Sequence, residues 1–311
     1  MRSSTTALKM LIRVAAVAGC AQLAVLSSPG VAGQAASAAQ QAGVAVPQTP
    51  GRGRGLQPVD PRVEIRTHYF AETNEDIPYA LFVSSKVAKN RKAPLIVTLH
   101  GIGGTHTTMM RPNAIDLAEA GGYILLAPMG YNPRGWYGAP APQGRRGTPP
   151  APPPQGRRGG LPPGLLNDPN DPSNLRALSE KDTLEVVDLV RKEFTVDSDR
   201  TYLMGHSMGG AGTLYLAIKY PQRWAAVAAL APAAFTVDRD GLAKIPNMPV
   251  MLVHGDMDTV VPVTVGRAWA EAMKSVPIED YQYIEVPGGD HGTVIGSHQA
   301  EIFAFFARRS R

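Results

Sequence analysis

Apolar and polar positions alternate over VEIRTHYF (63–70), which predicts a strand with one solvated face, and IPYALFV (77–83) reads as its antiparallel partner. From residue 94 the pattern changes. PLIVTLH (94–100), YILLAP (123–128), RTYLMG (200–205), AAVAAL (225–230), PVMLVHG (249–255) and YQYIEVP (281–287) are short, largely apolar runs. All read as strands, and the continuous runs at 94–100 and 123–128 fit strands buried in the sheet. Helical periodicity fills the gaps: 112–120, 179–194, Met208 to Tyr220, 264–275 and 298–309. In the second of these, Leu184, Val187, Leu189 and Val190 fall on or near one face, with Ser179 as the expected N-cap. Regular alternation of strand and helix predicts an α/β fold: a mostly parallel central sheet with helices on both faces.

The flanks do not share this pattern. Residues 1–13 carry Arg2, Lys9 and Arg13 with no acid, 14–26 are apolar and small, and Ser27-Ser28-Pro29-Gly30 breaks the run. This is the layout of a secretory signal, with small residues suited to cleavage after Gly33 or after Ala38. The apolar run is shorter than the roughly 20 residues that span a bilayer. Export to the periplasm or the medium is therefore expected. Val17-Ala18-Gly19-Cys20 also resembles a lipobox, which makes a lipid anchor at Cys20 the alternative. Residues 34–62 read as an Ala-, Gln-, Gly- and Pro-rich flexible spacer, and 63–311 as the catalytic domain. Inside it, residues 139–164 are almost all Pro, Gly, Ala, Gln and Arg, with PQGRRG at 142–147 and again at 154–159. That composition cannot pack a core and predicts a disordered insertion.

Net charge +5 would suit nucleic acid, but nine of the cations sit in 1–55 and 139–160, which hold no Asp or Glu. The remainder has a net charge of −4, so no nucleic-acid partner is expected. With Cys20 the single cysteine, neither an intramolecular disulfide nor a cysteine metal site can form.

The chemistry begins at Gly205-His206-Ser207-Met208-Gly209-Gly210. A G-x-S-x-G between a strand and a helix holds the serine on a tight turn, where its hydroxyl clears the sheet. Ser207 is the predicted nucleophile, and a serine hydroxyl needs a base. His291, in the loop after strand 281–287, is favoured over His298, which falls at or inside the last helix. The loop after 249–255 offers Asp256 and Asp258 as the carboxylate that orients the imidazole. Two backbone donors should face the oxyanion. Met208 N–H is one; the other comes from His100-Gly101-Ile102-Gly103-Gly104, with Ile102 favoured and Gly101 or Gly103 as alternatives. His206 is a candidate substrate contact. A metal site from His254, Asp256, Asp258, Asp290 and His291 is the competing reading, but serine chemistry already accounts for these residues, and neither metal nor other cofactor is expected.

LHGIGG, GHSMGG, HGDMDTVVP and GGDHGT together resemble the α/β-hydrolase superfamily over about residues 63–309. More narrowly they are similar to secreted esterases of the polyhydroxybutyrate depolymerase-like and feruloyl or acetylxylan esterase-like branch, near the prolyl oligopeptidase and dienelactone hydrolase families. The resemblance implies the α/β-hydrolase fold, a carboxylic ester substrate, small or polymeric, and Asp258 as the acid, with Asp256 as runner-up. It also implies that Tyr131 and Trp136, in MGYNPRGWYG, lie near the substrate mouth. A prolyl oligopeptidase-type peptidase and a non-catalytic binding protein on the same fold are the alternatives. The Pro-Gly-Arg insertion has no counterpart in that pattern.

Overall fold

Short apolar runs bounded by turn residues fit strands of a covered sheet, and the six expected from residue 94 onwards all form strands, the last of them, 281–287, at the half-buried edge. The computed structural model describes residues 59–142, 168–276, 278 and 280–311. The expected leader, Cys20, nearly all of the spacer and most of the insertion fall outside these residues. In chain order the elements are β1 (Glu64–Phe70), β2 (Glu75–Val83), β3 (Ala93–Leu99), α1 (Pro112–Gly121), β4 (Ile124–Pro128) and α2 (Leu175–Glu193). There follow β5 (Val196–His206), α3 (Met208–Lys219), β6 (Ala226–Leu230), β7 (Val250–Gly255), α4 (Val263–Ser275), β8 (Tyr281–Val286), α5 (Val294–Ser297) and α6 (Gln299–Ala307).

The eight strands form one sheet in the order β1-β2-β4-β3-β5-β6-β7-β8. The β1–β2 and β2–β4 pairs are antiparallel and every later pair is parallel. Alternate residues of the central strands feed two cores. Leu95, Val97, Leu203, Val227 and Leu252 face α2, α3 and α4, whereas Ile96, Tyr202, Met204, Ala228 and Val253 face α1 and α6. β3, β4, β6 and β7 are buried along their whole length. Truncating a fully buried residue such as Ile96 to Ala would cost about 2–5 kcal/mol. This is the α/β-hydrolase fold, with β3 to β8 all pointing the same way, so that the loops after their carboxyl ends gather along one edge.

The sequence reading misplaces the start of α2. The helix begins at Leu175 with Asn174 as N-cap, one turn before Ser179. Ser179 is fully buried inside the helix, where its Oγ accepts the Tyr137 N–H at 3.0 Å. A polar residue that reads as a cap in sequence is thus satisfied by a loop some forty residues earlier. The buried stripe of α2 is accordingly Leu178, Asp182, Val186 and Val190, with Ser179, Thr183 and Val187 beside it, while Leu184 and Leu189 are only half-buried. Among the described residues no helix is long and apolar enough to cross a membrane.

Candidate active site

Ser207 occupies the single residue between β5 and α3, with φ 59° and ψ −115°. A side chain in that region costs about 1–3 kcal/mol and persists only when its surroundings over-determine it. Here three main-chain bonds do so. Ser207 N–H donates to the Leu230 carbonyl at 2.9 Å, and the Ser207 carbonyl accepts from Ala211 N–H at 3.0 Å and Ala233 N–H at 2.9 Å. The elbow also demands close approach. A Cβ at Gly205 would run into the Gly209 carbonyl, and one at Gly209 into the Leu99 carbonyl. Among the described residues Ser207 Oγ has no hydrogen-bond partner, so its hydroxyl is not tied up by the fold.

Asp258 follows β7, and its side chain is fully buried. Oδ1 accepts Val260 N–H and Val261 N–H, both at 2.8 Å. Oδ2 lies 2.7 Å from Nδ1 of His291, which follows β8. Burial alone would lift the Asp258 carboxyl; bonding to His254 and His291 and from Val261 N–H outweighs it and holds the group well below the usual carboxylate range. An ionised Asp258 requires a proton on His291 Nδ1, which leaves Nε2 free to accept one. Asp256 has a different place. It is exposed, and its Oδ1 accepts Gly288 N–H at 2.7 Å. The residue pattern left two acids open; only Asp258 meets the imidazole. His298 is the N-cap of α6, paired with Ser297 Oγ at 2.7 Å.

His206, expected as a substrate contact, is turned towards the loop of His291. It is 6% exposed, its Nε2–H donates to the His291 carbonyl at 2.8 Å, and the two rings lie 4.5 Å apart. Burial, then the neighbouring His291, push its pKa down to about 3, so it stays neutral near pH 7. Because it precedes Ser207 directly, His206 latches the loop of His291 to the turn of the serine. His254, which sequence reasoning did not single out as a support, is fully buried; its Nε2–H donates to the Val261 carbonyl at 2.9 Å and lies 3.5 Å from Asp258 Oδ2. Its position two residues before Asp256 in HGDMD was the available signal.

The His100–Gly104 loop follows β3 and abuts the serine: a Cβ on Gly101 would sit 3.2 Å from Ser207 Cβ. Its peptide groups are committed one by one. Gly103 N–H donates to the Pro133 carbonyl at 2.9 Å, which removes it as an oxyanion donor. The Gly101 carbonyl faces Gly104 N–H at 2.9 Å and His100 Nδ1 at 2.8 Å. In a trans peptide the N–H points opposite to the carbonyl, so Ile102 N–H is turned away from those partners. Among the described residues Gly101, Ile102 and Met208 N–H have no hydrogen-bond acceptor.

Tyr131 and Trp136, expected at the substrate mouth, have other partners. Tyr131 packs on Phe70 with ring centroids 5.9 Å apart, and its hydroxyl lies 3.2 Å from Glu75 at the start of β2. Trp136 is 4% exposed, in a short turn that packs on α2 and α3. An open groove of about 700 Å³, lined by His68, Tyr69, Glu185, Asp188 and Lys192 among others, contains none of the residues above. Among the described residues no group of His, Cys, Asp and Glu is arranged to hold a metal ion.

Several known proteins are similar to this chain. The family model Esterase matches residues 167–311. Cutinase 1 of Thermobifida cellulosilytica is 33% identical over 97 residues, which is 31% of this chain and 34% of the cutinase. The chain thus aligns with about a third of the length of these curated relatives. Among solved structures, a thermostable esterase superposes with TM-score 0.59 at 25% identity, over 81% of this chain and 64% of that one. A ferulic acid esterase from Anaeromyces mucronatus superposes with TM-score 0.58 at 18% identity, over 83% and 93%.

Proposed function

We propose that this chain, a member of the α/β-hydrolase superfamily, hydrolyses carboxylic esters through an acyl-enzyme on Ser207. One observation carries the reading: a serine held at positive φ after β5 shares a strand-end edge with an Asp258–His291 pair bonded at 2.7 Å. The esterase relatives point to the same chemistry.

Ser207 Oγ attacks the ester carbonyl carbon while His291 Nε2 takes its proton, and Asp258 stabilises the imidazolium that results. The negative charge passes to the carbonyl oxygen, which Met208 N–H and Ile102 N–H receive, with Gly101 N–H as the alternative second donor. Collapse of the tetrahedral species breaks the bond to the alkoxy oxygen. His291 returns the proton to it, and the alcohol leaves. A water activated by the same imidazole then attacks the acyl-serine, releases the carboxylic acid and restores Ser207. The Ser207–His291 hydrogen bond, absent in the resting arrangement, forms with substrate in place, as contacts of this kind often do.

Incubation with a fluorophosphonate, followed by peptide mass spectrometry, tests the assignment. The expected result is one phosphonyl group on Ser207, lost in Ser207→Ala together with turnover of p-nitrophenyl acetate. An adduct on another residue, or turnover surviving in Ser207→Ala, would overturn it.

A further inference from the structure

The loop after β4 departs repeatedly from the usual backbone regions. Gly130, Tyr131, Trp136, Tyr137 and Gly138 all have positive φ, and three of these are aromatic. Each non-glycine residue there costs about 1 kcal/mol or more. Buried groups on α2 hold the loop in that state. Asp182 Oδ2 accepts Tyr131 N–H at 2.8 Å, and Ser179 Oγ accepts Tyr137 N–H at 3.0 Å. Strain maintained at this expense calls for a purpose, and the tip of the loop supplies one.

Tyr137 is fully buried, and its ring backs onto α3, where a Cβ at Gly212 would meet Tyr137 Cβ at 2.8 Å. Its hydroxyl reaches His100. It accepts His100 N–H at 3.1 Å and donates to the His100 carbonyl at 3.3 Å. His100 is where the chain leaves β3 for Gly101 and Ile102. The His100 carbonyl and Gly101 N–H belong to one planar peptide. Holding the first fixes the direction of the second and the start of the turn that presents Ile102 N–H. Burial also pushes the phenol well above its ordinary pKa, so the hydroxyl keeps the proton it donates.

We infer that Tyr137 is a positioning residue for the oxyanion loop: its buried hydroxyl clamps both main-chain groups of His100 and so aims the amides that face the tetrahedral intermediate. This rests on the ester-hydrolase reading above. The strained 130–138 loop exists to bring that hydroxyl under the end of β3.

The test is Tyr137→Phe, which keeps the ring and removes the clamp. Loss of a whole oxyanion donor costs about 10²–10³ in turnover; a donor left in place but loosened should cost roughly tenfold. With p-nitrophenyl acetate, kcat should fall by about that factor while KM stays within about twofold. The affinity for a trifluoromethyl ketone, which forms a tetrahedral adduct, should weaken in parallel with kcat/KM. A folded variant that keeps kcat and inhibitor affinity, with only Tm lowered, would reduce Tyr137 to packing and overturn the inference. If Tyr137→Phe does not fold, Ser179→Ala decides the matter. It leaves the phenol in place but frees Tyr137 N–H, and should lower kcat and inhibitor affinity together; unchanged values would overturn the inference. Wild-type enzyme that neither hydrolyses the ester nor takes a fluorophosphonate on Ser207 would instead refute the ester-hydrolase reading itself.

Discussion

Replacing Asp258 by Asn changes one atom and should remove nearly all activity. The amide oxygen can keep both bonds from Val260 and Val261 N–H, so the loop stays in place. The amide nitrogen then stands where Oδ2 met His291 Nδ1. Being a donor, it requires a lone pair on Nδ1, which moves the ring proton to Nε2. That nitrogen must accept the Ser207 proton and no longer can. The expected loss is about 10⁴ in kcat, or about 5 kcal/mol of transition-state stabilisation. The cost in stability is far smaller, about 1–3 kcal/mol for one charge-assisted bond. Asp256→Asn provides the contrast, because an exposed amide can still accept Gly288 N–H; its kcat should stay within about twofold. The assay is kcat on p-nitrophenyl acetate at pH 7 with Tm measured alongside. The pH dependence adds a check of sign. The folded Asp258 carboxyl lies below its usual range, so its ionisation adds stability above about pH 4 that is lost as pH falls through the folded value. The Tm gap between wild type and Asp258→Asn should therefore close in acid. Equal losses from Asp256→Asn and Asp258→Asn, or the reverse ranking, would refute the reasoning.

Ser207→Gly should be inactive yet more stable than wild type by about 1 kcal/mol, because glycine carries no penalty at φ 59°; a lowered Tm would show that the turn is not strained. Gly209→Ala should destabilise by more than about 2 kcal/mol, since its Cβ would meet the Leu99 carbonyl on a strand that cannot retreat; a native Tm would refute the close approach. His206 resists protonation when folded, so stability should be full above about pH 6.5 and fall progressively towards pH 3; Tm measured over that range should fall less steeply in His206→Gln, and parallel curves would exclude this residue as the cause. The signal-like pattern of residues 1–33 predicts a mature chain starting after Gly33 or Ala38 by intact mass; a retained leader would refute it, and an acylated Cys20 at the N-terminus would establish the lipoprotein alternative.

The sheet and the serine were legible because each rests on local rules. Continuous apolar runs at β3, β4, β6 and β7, too short for helices and bounded by turn residues, fit covered strands, and G-x-S-x-G between strand and helix specifies its own backbone. The choice between Asp256 and Asp258 was not decided by residue type. It depends on whether the turn after β7 sends a carboxylate inward to the Val260 and Val261 amides or outward to Gly288. The N-cap expected at Ser179 is wrong, and the contacts of Tyr131, Trp136 and His206 were not legible, for a shared reason. Each is a polar or aromatic residue whose role is set by a partner distant in sequence: Tyr137 for Ser179, Phe70 and Glu75 for Tyr131, the helices α2 and α3 for Trp136, and His291 for His206. Periodicity counts such residues as caps, rims or contacts, because it carries no record of what lies across the core.

Those same distant partners explain how a site on loops can be rigid. Ser207 is fixed by main-chain bonds to the end of β6, the loop after it and α3, and Asp258 by amides of its own turn. His291 is fixed through His206, the residue before the nucleophile. Gly103 is tied to Pro133, and His100 to Met129 and Tyr137, so the loops after β3 and β4 hold each other. None of these ties is a surface ion pair, whose worth would be at most about 1 kcal/mol and sensitive to salt. Nearly all are buried or partly buried hydrogen bonds with a main-chain group on at least one side, where an unmade bond costs about 1–3 kcal/mol. A loop that slipped out of place would leave several such groups unpaired at once. Rigidity of the site therefore comes from the number of backbone groups that would be stranded by movement, and it should persist at high ionic strength.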